Sequence, residues 1–144
     1  MQKRNKNAMG EFGLNIPHSY DAPAEKVFDA WVNPISVKSW LADGKDIVID
    51  PREGGLFYLE MPWKERIYPH YGRYIKIESP RVLEFTWVSE GTQGKESVVK
   101  IELTSHGAKT ELTLTHDGLP SEDEVKGHRG GWTQFLDSLA ERLR

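Results

Sequence analysis

Five histidines, at positions 18, 70, 106, 116 and 128, are the side chains in this sequence best suited to proton transfer or metal ligation near neutral pH. Their spacing matches no metal-ligand pattern such as H-E-x-x-H, so a bound metal is not expected. His116-Asp117 has the composition of a base and its orienter, but adjacent residues on a strand point to opposite faces, which makes them a poor dyad. No nucleophile elbow accompanies the serines. Neither G-x-G-x-x-G nor G-x-x-x-x-G-K-[ST] occurs, and Gly127-His128-Arg129-Gly130-Gly131 falls inside a helical pattern instead of a phosphate-cradling loop. The absence of Cys removes thiolate chemistry, disulfides and cysteine-ligated zinc or iron–sulfur sites. No catalytic residue and no cofactor is assigned on these grounds, and an enzyme is the less favoured expectation.

The same residues look different once the elements that carry them are considered. A first strand is expected over Leu14 to Tyr20. Asp21-Ala22-Pro23 then stops it and starts a helix, with Asp21 as the expected cap and Pro23 in the first turn. Val27, Phe28, Trp31 and Val32 recur at helical spacing, so one face of that helix is buried. Asn33-Pro34 breaks it, and a second short helix from Ile35 to Leu41 turns Val37, Trp40 and Leu41 inward before Asp43-Gly44 ends it.

From Lys45 to His116 the period changes from 3.6 to 2. Strands are expected at Asp46–Ile49, Leu56–Met61, Tyr71–Glu78, Arg81–Val88, Ser97–Thr104 and Thr110–His116. Their short connections favour one antiparallel sheet over parallel crossovers. Pro62 to His70, with Trp63, Ile67, Tyr68 and Pro69, is too aromatic for an ordinary surface turn and is expected to cover the mouth of the sheet.

A terminal helix begins at Ser121-Glu122-Asp123-Glu124, which resembles a capping box with an acidic first turn. Val125, His128, Trp132, Phe135, Leu136, Leu139 and Leu143 fall on one side of it, so it should lie across the sheet. Gly127, Gly130 and Gly131 each cost about 1 kcal/mol relative to Ala in mid-helix, and close approach to the sheet or to a guest is the expected reason. The resulting fold class is α+β: a helix-grip arrangement, in which a curved antiparallel sheet wraps a long C-terminal helix and two short helices follow the first strand. Residues 1–13 are expected as a flexible leader and 14–144 as one domain.

Strand alternation nominates the walls of a pocket between the sheet and the terminal helix. The more apolar faces carry Phe57, Leu59 and Met61, then Ile75 and Ile77, then Leu83, Phe85 and Trp87, with Val99, Ile101 and Leu103 and finally Leu112 and Leu114 beyond them. The same parity turns Tyr71, Arg73 and His116 inward, where a few polar groups would orient a guest on an apolar wall. Arg73 could pair with an anionic group, or with a Glu at the open end of the sheet; His116 could serve the guest, or simply be a hydrogen-bonded residue closing a strand. Trp63 joins the wall from the aromatic loop, and His128, Trp132, Phe135 and Leu136 from the helix. A dry apolar void of ~300 Å³ would cost about 7 kcal/mol, comparable to the stability of a whole domain, so the space must be collapsed, wet or occupied.

Charge and hydropathy narrow the partners. The formal net charge of −3 gives no electrostatic footprint for nucleic acid. The first ten residues are basic like a signal n-region but lack the apolar stretch that follows one, and no run approaches the ~18 apolar residues of a membrane span. A cytoplasmic location fits the lack of Cys. The expected partner is a small hydrophobic molecule, without nucleic acid or membrane insertion; a homodimer is left open.

Several segments together resemble a known family. They are Pro23-Ala24-Glu25-Lys26-Val27-Phe28-Asp29-Ala30-Trp31, Gly54-Gly55-Leu56-Phe57, Gly72-Arg73-Tyr74-Ile75, Pro80-Arg81-Val82-Leu83-Glu84-Phe85-Thr86-Trp87, Leu112-Thr113-Leu114-Thr115-His116-Asp117-Gly118-Leu119-Pro120 and Gly131-Trp132. In that order the chain resembles the activator of heat-shock protein 90 ATPase homologues, within the START-like superfamily, also called Bet v 1-like, polyketide cyclase or SRPBCC. The resemblance implies a helix-grip fold with an internal cavity for a lipid-, flavonoid- or polyketide-like molecule, and it brings no shared catalytic motif. It also implies two alternatives: a co-chaperone-like regulator of a heat-shock ATPase, and a cyclase or hydrolase acting on a polyketide-like substrate through His116 or Tyr71. A separate N-terminal domain is expected to contribute to chaperone binding in such homologues, and 144 residues leave it no room.

Overall fold

The computed structural model describes residues 12–42 and 46–144, with the side chain of Trp63 outside that set. Seven strands form one antiparallel sheet in the order β1-β7-β6-β5-β4-β3-β2. They are β1 (Phe12–Tyr20), β2 (Val48–Ile49), β3 (Leu56–Trp63), β4 (Arg66–Glu78), β5 (Val82–Trp87), β6 (Ser97–His106) and β7 (Lys109–Leu119). Consecutive strands from β2 to β7 pair as hairpins, and β1 closes the far edge on β7. This is the antiparallel outcome that short connections dictate. The helices are α1 (Ala24–Val32), α2 (Pro34–Trp40) and the long α3 (Glu122–Arg142). The architecture is the α+β helix-grip fold.

Local chemistry explains most boundaries. Asn33 ends α1 and caps α2, its carboxamide oxygen accepting from the backbone N–H groups of Ile35 and Ser36 at 3.0 and 3.4 Å. The cap of α1 is Pro23 and not Asp21, whose carboxylate instead pairs with Lys109 at 3.3 Å. Ser121 caps α3, its hydroxyl accepting from Glu124 N–H at 3.2 Å. The expected stop at Asp43-Gly44 lies outside the described residues. Pro62 to His70 does not form a covering loop. Strands β3 and β4 run on through Met61↔Tyr68 and Pro62↔Ile67 and close at Lys64 and Glu65, with Lys64 in the left-handed region at φ 58°.

The core lies between the concave face of the sheet and the three helices. Val27, Phe28 and Trp31 of α1, Val37 and Trp40 of α2 and Leu41 at its C-terminal cap are buried, as their spacing requires. From α3, Val125, Trp132, Leu136 and Leu139 pack inward. Tyr20 fastens β1 to that helix, its hydroxyl donating to the Leu136 carbonyl at 2.9 Å. The three glycines of α3 do not mark a close approach: a Cβ built on Gly127, Gly130 or Gly131 meets nothing within 4 Å. Tight positions lie elsewhere: at Gly72 on β4 a Cβ would run into the Thr86 carbonyl oxygen and the Phe57 ring, and at Gly55 into the Asp50 carbonyl oxygen.

Candidate functional site

Strand β4 carries one extra residue, and the site is arranged around it. Tyr74 pairs with Phe85 but Lys76 pairs with Glu84, so Ile75 is bulged out of the ladder. Beyond the bulge, Ile77 packs against the core; before it, Gly72 and Tyr74 are the inward residues. Alternation carried back from Ile77 without the bulge reverses the face. Tyr71, Arg73 and Ile75 therefore sit on the outer side of the sheet, with Tyr71 49% and Ile75 37% exposed. The inward placement expected for these three is corrected accordingly. Arg73 forms a two-pronged pair with Glu96, Nε and Nη2 donating at 3.1 and 3.2 Å.

The inner face holds a connected aromatic wall. Phe57 meets Phe85 edge-on at 5.4 Å, Trp87 lies 5.1 Å from Trp132, and Trp132 lies 6.0 Å from Trp31. Next to this wall is a cavity of about 20 Å³. Trp31 of α1 and Val37 and Leu41 of the α2 region form one side; Ile49, Phe57, Leu59, Tyr74, Phe85 and Trp87 of β2 to β5 form the other. It lies between the sheet and α1–α2, not between the sheet and α3 as the strand faces suggest. Trp132 and Leu136 occupy the α3 side as buried core. Phe57, Leu59, Phe85 and Trp87 are nominated by the strand pattern, and the structure brings them together here. Met61, Val99, Ile101, Leu112 and Leu114 are buried elsewhere on the same face, and Phe135 is half-buried on α3.

Five wall residues escape the strand pattern: Trp31, Val37, Leu41, Ile49 and Tyr74. Three of them belong to helical faces that the period turns inward, so their burial is visible in the sequence and the cavity is not. Tyr74 is hidden by the bulge. A void of this size holds about one water, so the space left open by the sequence is mostly collapsed.

Beside the wall, His70, His116 and His128 gather from β4, β7 and α3. His128 lies 5.1 Å from His116, ring edge to ring face, and His70 lies 4.8 Å from Trp87. His116 is fully buried and hydrogen bonded at both nitrogens. Trp132 Nε1, which can only donate, donates to Nδ1 at 3.0 Å. In the neutral ring Nε2 therefore carries the proton and donates to Ser97 Oγ at 2.8 Å, and that hydroxyl donates to the Trp87 carbonyl at 2.6 Å. The Ser97–His116 distance is that of a nucleophile and its base, but the proton stands on the wrong nitrogen and no solvent reaches either group. This thread is structural.

Burial holds all three imidazoles neutral. It lowers His116 well below the ordinary histidine value, with the neighbouring His128 and His70 adding to the effect. Burial lowers His70 to about 4, opposed by donation from its Nδ1 to the Tyr68 carbonyl and assisted by His128. His128 is lowered by burial and partly restored by its bond to the Glu124 carbonyl and by the Glu124 carboxylate. Among the described residues, no three His, Cys, Asp or Glu side chains gather in a way that could hold a metal ion. Among them also, no helix is long and apolar enough to cross a membrane.

Comparison with known proteins places this geometry. Residues 21–144 match the family described as Activator of Hsp90 ATPase homolog 1-like protein. A comparison with curated proteins returned no match. Among solved structures, CalU16 from Micromonospora echinospora is 31% identical, with a TM-score of 0.76 over 96% of this chain and 81% of that one. Protein CV1439 from Chromobacterium violaceum shares the fold at a TM-score of 0.82 and 20% identity, over 91% of this chain and 96% of its own. An HSP90 activator from Plasmodium falciparum shares it at 0.75 and 22%, over 91% and 95%.

Proposed function

The chain belongs to the Activator of Hsp90 ATPase homolog 1-like family, and on that premise we propose that it binds a small, largely apolar aromatic molecule in the cavity between α1–α2 and the sheet. One observation carries this: five aromatic rings, from Trp31, Phe57, Tyr74, Phe85 and Trp87, converge on a single void with no charged side chain in its lining. Flat rings supply large contact area at low conformational cost, which suits an aromatic guest better than a flexible chain. The void as it stands admits one water, so a guest must part the walls as it enters. A cytoplasmic carrier or sensor of such a molecule is the resulting role.

Thermal unfolding against phenols, polyketide mimics, fatty acids and sterols tests this, with Trp fluorescence as the readout. A guest selective for the folded state stabilises it by about 2.7 kcal/mol at a hundredfold excess over Kd, a shift of several degrees. Midpoints that rise for the aromatic compounds support the proposal. A flat response across all four classes contradicts it.

The outer face supports a second reading. Leu56, Ile67, Tyr71 and Ile75 are exposed on β3 and β4, with Val48 beside them on β2. The family description names a chaperone ATPase, and such a face is where that partner would dock. On this reading Tyr71→Ala reduces stimulation of a heat-shock ATPase while substitutions in the cavity leave it intact. Equal loss from both sets removes the distinction.

A further inference from the structure

Tyr71, Arg73 and Ile75 open onto a face of the sheet that the interior cavity leaves unused. Outward side chains there stand in ladder register, Leu56 beside Arg73, Tyr58 beside Tyr71 and Glu60 beside Pro69, with Val48 of β2 flanking Tyr58. Val48, Leu56, Ile67 and Tyr71 are each at least 49% exposed. The outward positions of β5 to β7 carry Glu84, Lys100, Glu102 and Glu111 instead. Exposed apolar surface is thus gathered at one end of the sheet, the pattern of a face that meets a partner.

The strand edges restrict how that partner docks. On β3, beyond the two residues covered by β2, Pro62 supplies no N–H, and the neighbouring Glu60 carboxylate accepts from Asp46 N–H at 3.4 Å. On β1, Pro17 interrupts the donor row, and Arg129 donates to the Asn15 carbonyl at 3.3 Å. Both edges therefore resist the addition of a strand, and a partner must lie on the face.

The charges on that face are complementary to themselves. Glu60 stands one outward pair from the Tyr58–Tyr71 row toward the hairpin tip, and Arg73 one pair from it the other way, about 7 Å along the strands in each direction. A two-fold axis along the row lays the Arg73 level of one copy over the Glu60 level of the other, with the two side chains one strand spacing, about 5 Å, apart. Tyr58 donates to the Glu60 carboxylate at 3.0 Å and steadies that end. The Arg73–Glu96 pair within one chain is exposed and contributes about 0–1 kcal/mol, too little to hold the guanidinium back. We propose that the outer face of β2–β4 is the interface of a two-fold dimer of this chain, centred on Tyr58 and Tyr71 and closed by reciprocal Arg73–Glu60 pairs. Four outward steps of about 7 Å by three strands give a footprint of roughly 400 Å² per copy, against about 800 Å² for a standard stable interface. The dimer is therefore weak, with a dissociation constant on the order of 100 µM. A chaperone ATPase on the same face meets only the monomer, so the two occupants exclude one another.

Sedimentation equilibrium of the full-length protein, from about 5 to about 500 µM, tests this. The expected result is a weight-average mass that rises with concentration from the monomer value toward twice that value. Arg73→Glu and Glu60→Arg, each of which sets like charges against one another across the axis, should weaken association about tenfold. Combining the two exchanges the charges and should restore it. That restoration distinguishes a reciprocal pair from apolar sticking, and it cannot come from a variant that has merely lost its fold. A monomer mass at every concentration overturns the proposal and leaves the face to the chaperone reading. Dimerisation that neither reversal weakens, or that the combined variant does not restore, places the contact elsewhere and also overturns it. The wild-type series needs no variant, so misfolding of a substituted protein does not remove the test.

Discussion

Trp132 on α3 donates its indole proton to His116 on β7 at 3.0 Å, and that single bond sets the tautomer of a fully buried imidazole. Its direction sends the ring's own proton to Ser97 and on to the Trp87 carbonyl. A polar thread thus ties the terminal helix to three adjacent strands beneath the aromatic wall. Because every member is satisfied, the thread adds specificity to a core that is otherwise apolar.

Breaking the thread should cost more than lost ring area. Trp132→Phe removes the donor and leaves Nδ1 of His116 buried without a partner, a penalty of about 1–3 kcal/mol in addition to the cavity left behind. Urea unfolding with an unchanged slope and a lower midpoint is the expected outcome. A midpoint equal to the wild type's would show that the thread contributes nothing.

Acid should destabilise the fold in a defined window. His70, His116 and His128 are neutral when folded and have lowered pKa values, so below pH ~6.5 the unfolded chain binds protons that the folded chain refuses. Stability is fully present above that pH and falls as pH drops toward about 4, where His70 itself titrates. The slope is at most about 1.4 kcal/mol per pH unit for each imidazole. His70→Gln should flatten the curve of unfolding midpoint against pH; a slope unchanged by the substitution removes His70 from the account.

The glycines should respond in opposite directions. Gly127→Ala, Gly130→Ala and Gly131→Ala place a methyl in open space on α3 and should each stabilise by up to about 1 kcal/mol. Gly72→Ala forces a methyl into the Thr86 carbonyl and Phe57 and should destabilise strongly. Thermal midpoints of the four variants decide this, and a destabilising change at Gly130 would mean that α3 packs more closely than its geometry indicates.

Arg73→Leu should leave guest affinity unchanged. Its guanidinium faces outward to Glu96, both side chains about half exposed at 51% and 49%, and such pairs contribute about 0–1 kcal/mol. A selective loss of anionic ligands in this variant would return Arg73 to the binding site.

What can be read from the sequence divides by the kind of signal involved. Helical faces and strand alternation are local periodicities, so the burial of Trp31, Val37, Phe57 and Trp87 is legible residue by residue. A bulge is one residue of ladder mismatch and leaves no mark on hydropathy. Ile75 is apolar, and its exposure follows only from the partner register of Tyr74 and Lys76. The arm from Pro62 to His70 misleads for a related reason: Pro62 and Pro69 suggest a loop, yet both sit in paired strands close to the turn. Cavity position depends on how α1 and α2 settle against β3 to β5, a tertiary fact that no window of sequence carries.

The proposed seat of the aromatic guest is the void walled by α1–α2 and the sheet. Titration of the neutral fluorophore N-phenyl-1-naphthylamine into wild type and Val37→Trp addresses it most directly, with far-ultraviolet circular dichroism to establish that both fold. Val37 is 1% exposed and lines the cavity, so a larger side chain there fills it, at a stability cost of about 1–3 kcal/mol. Saturable binding in wild type that is lost in folded Val37→Trp is the predicted result. Binding of equal affinity in both proteins would place the guest elsewhere and contradict the account.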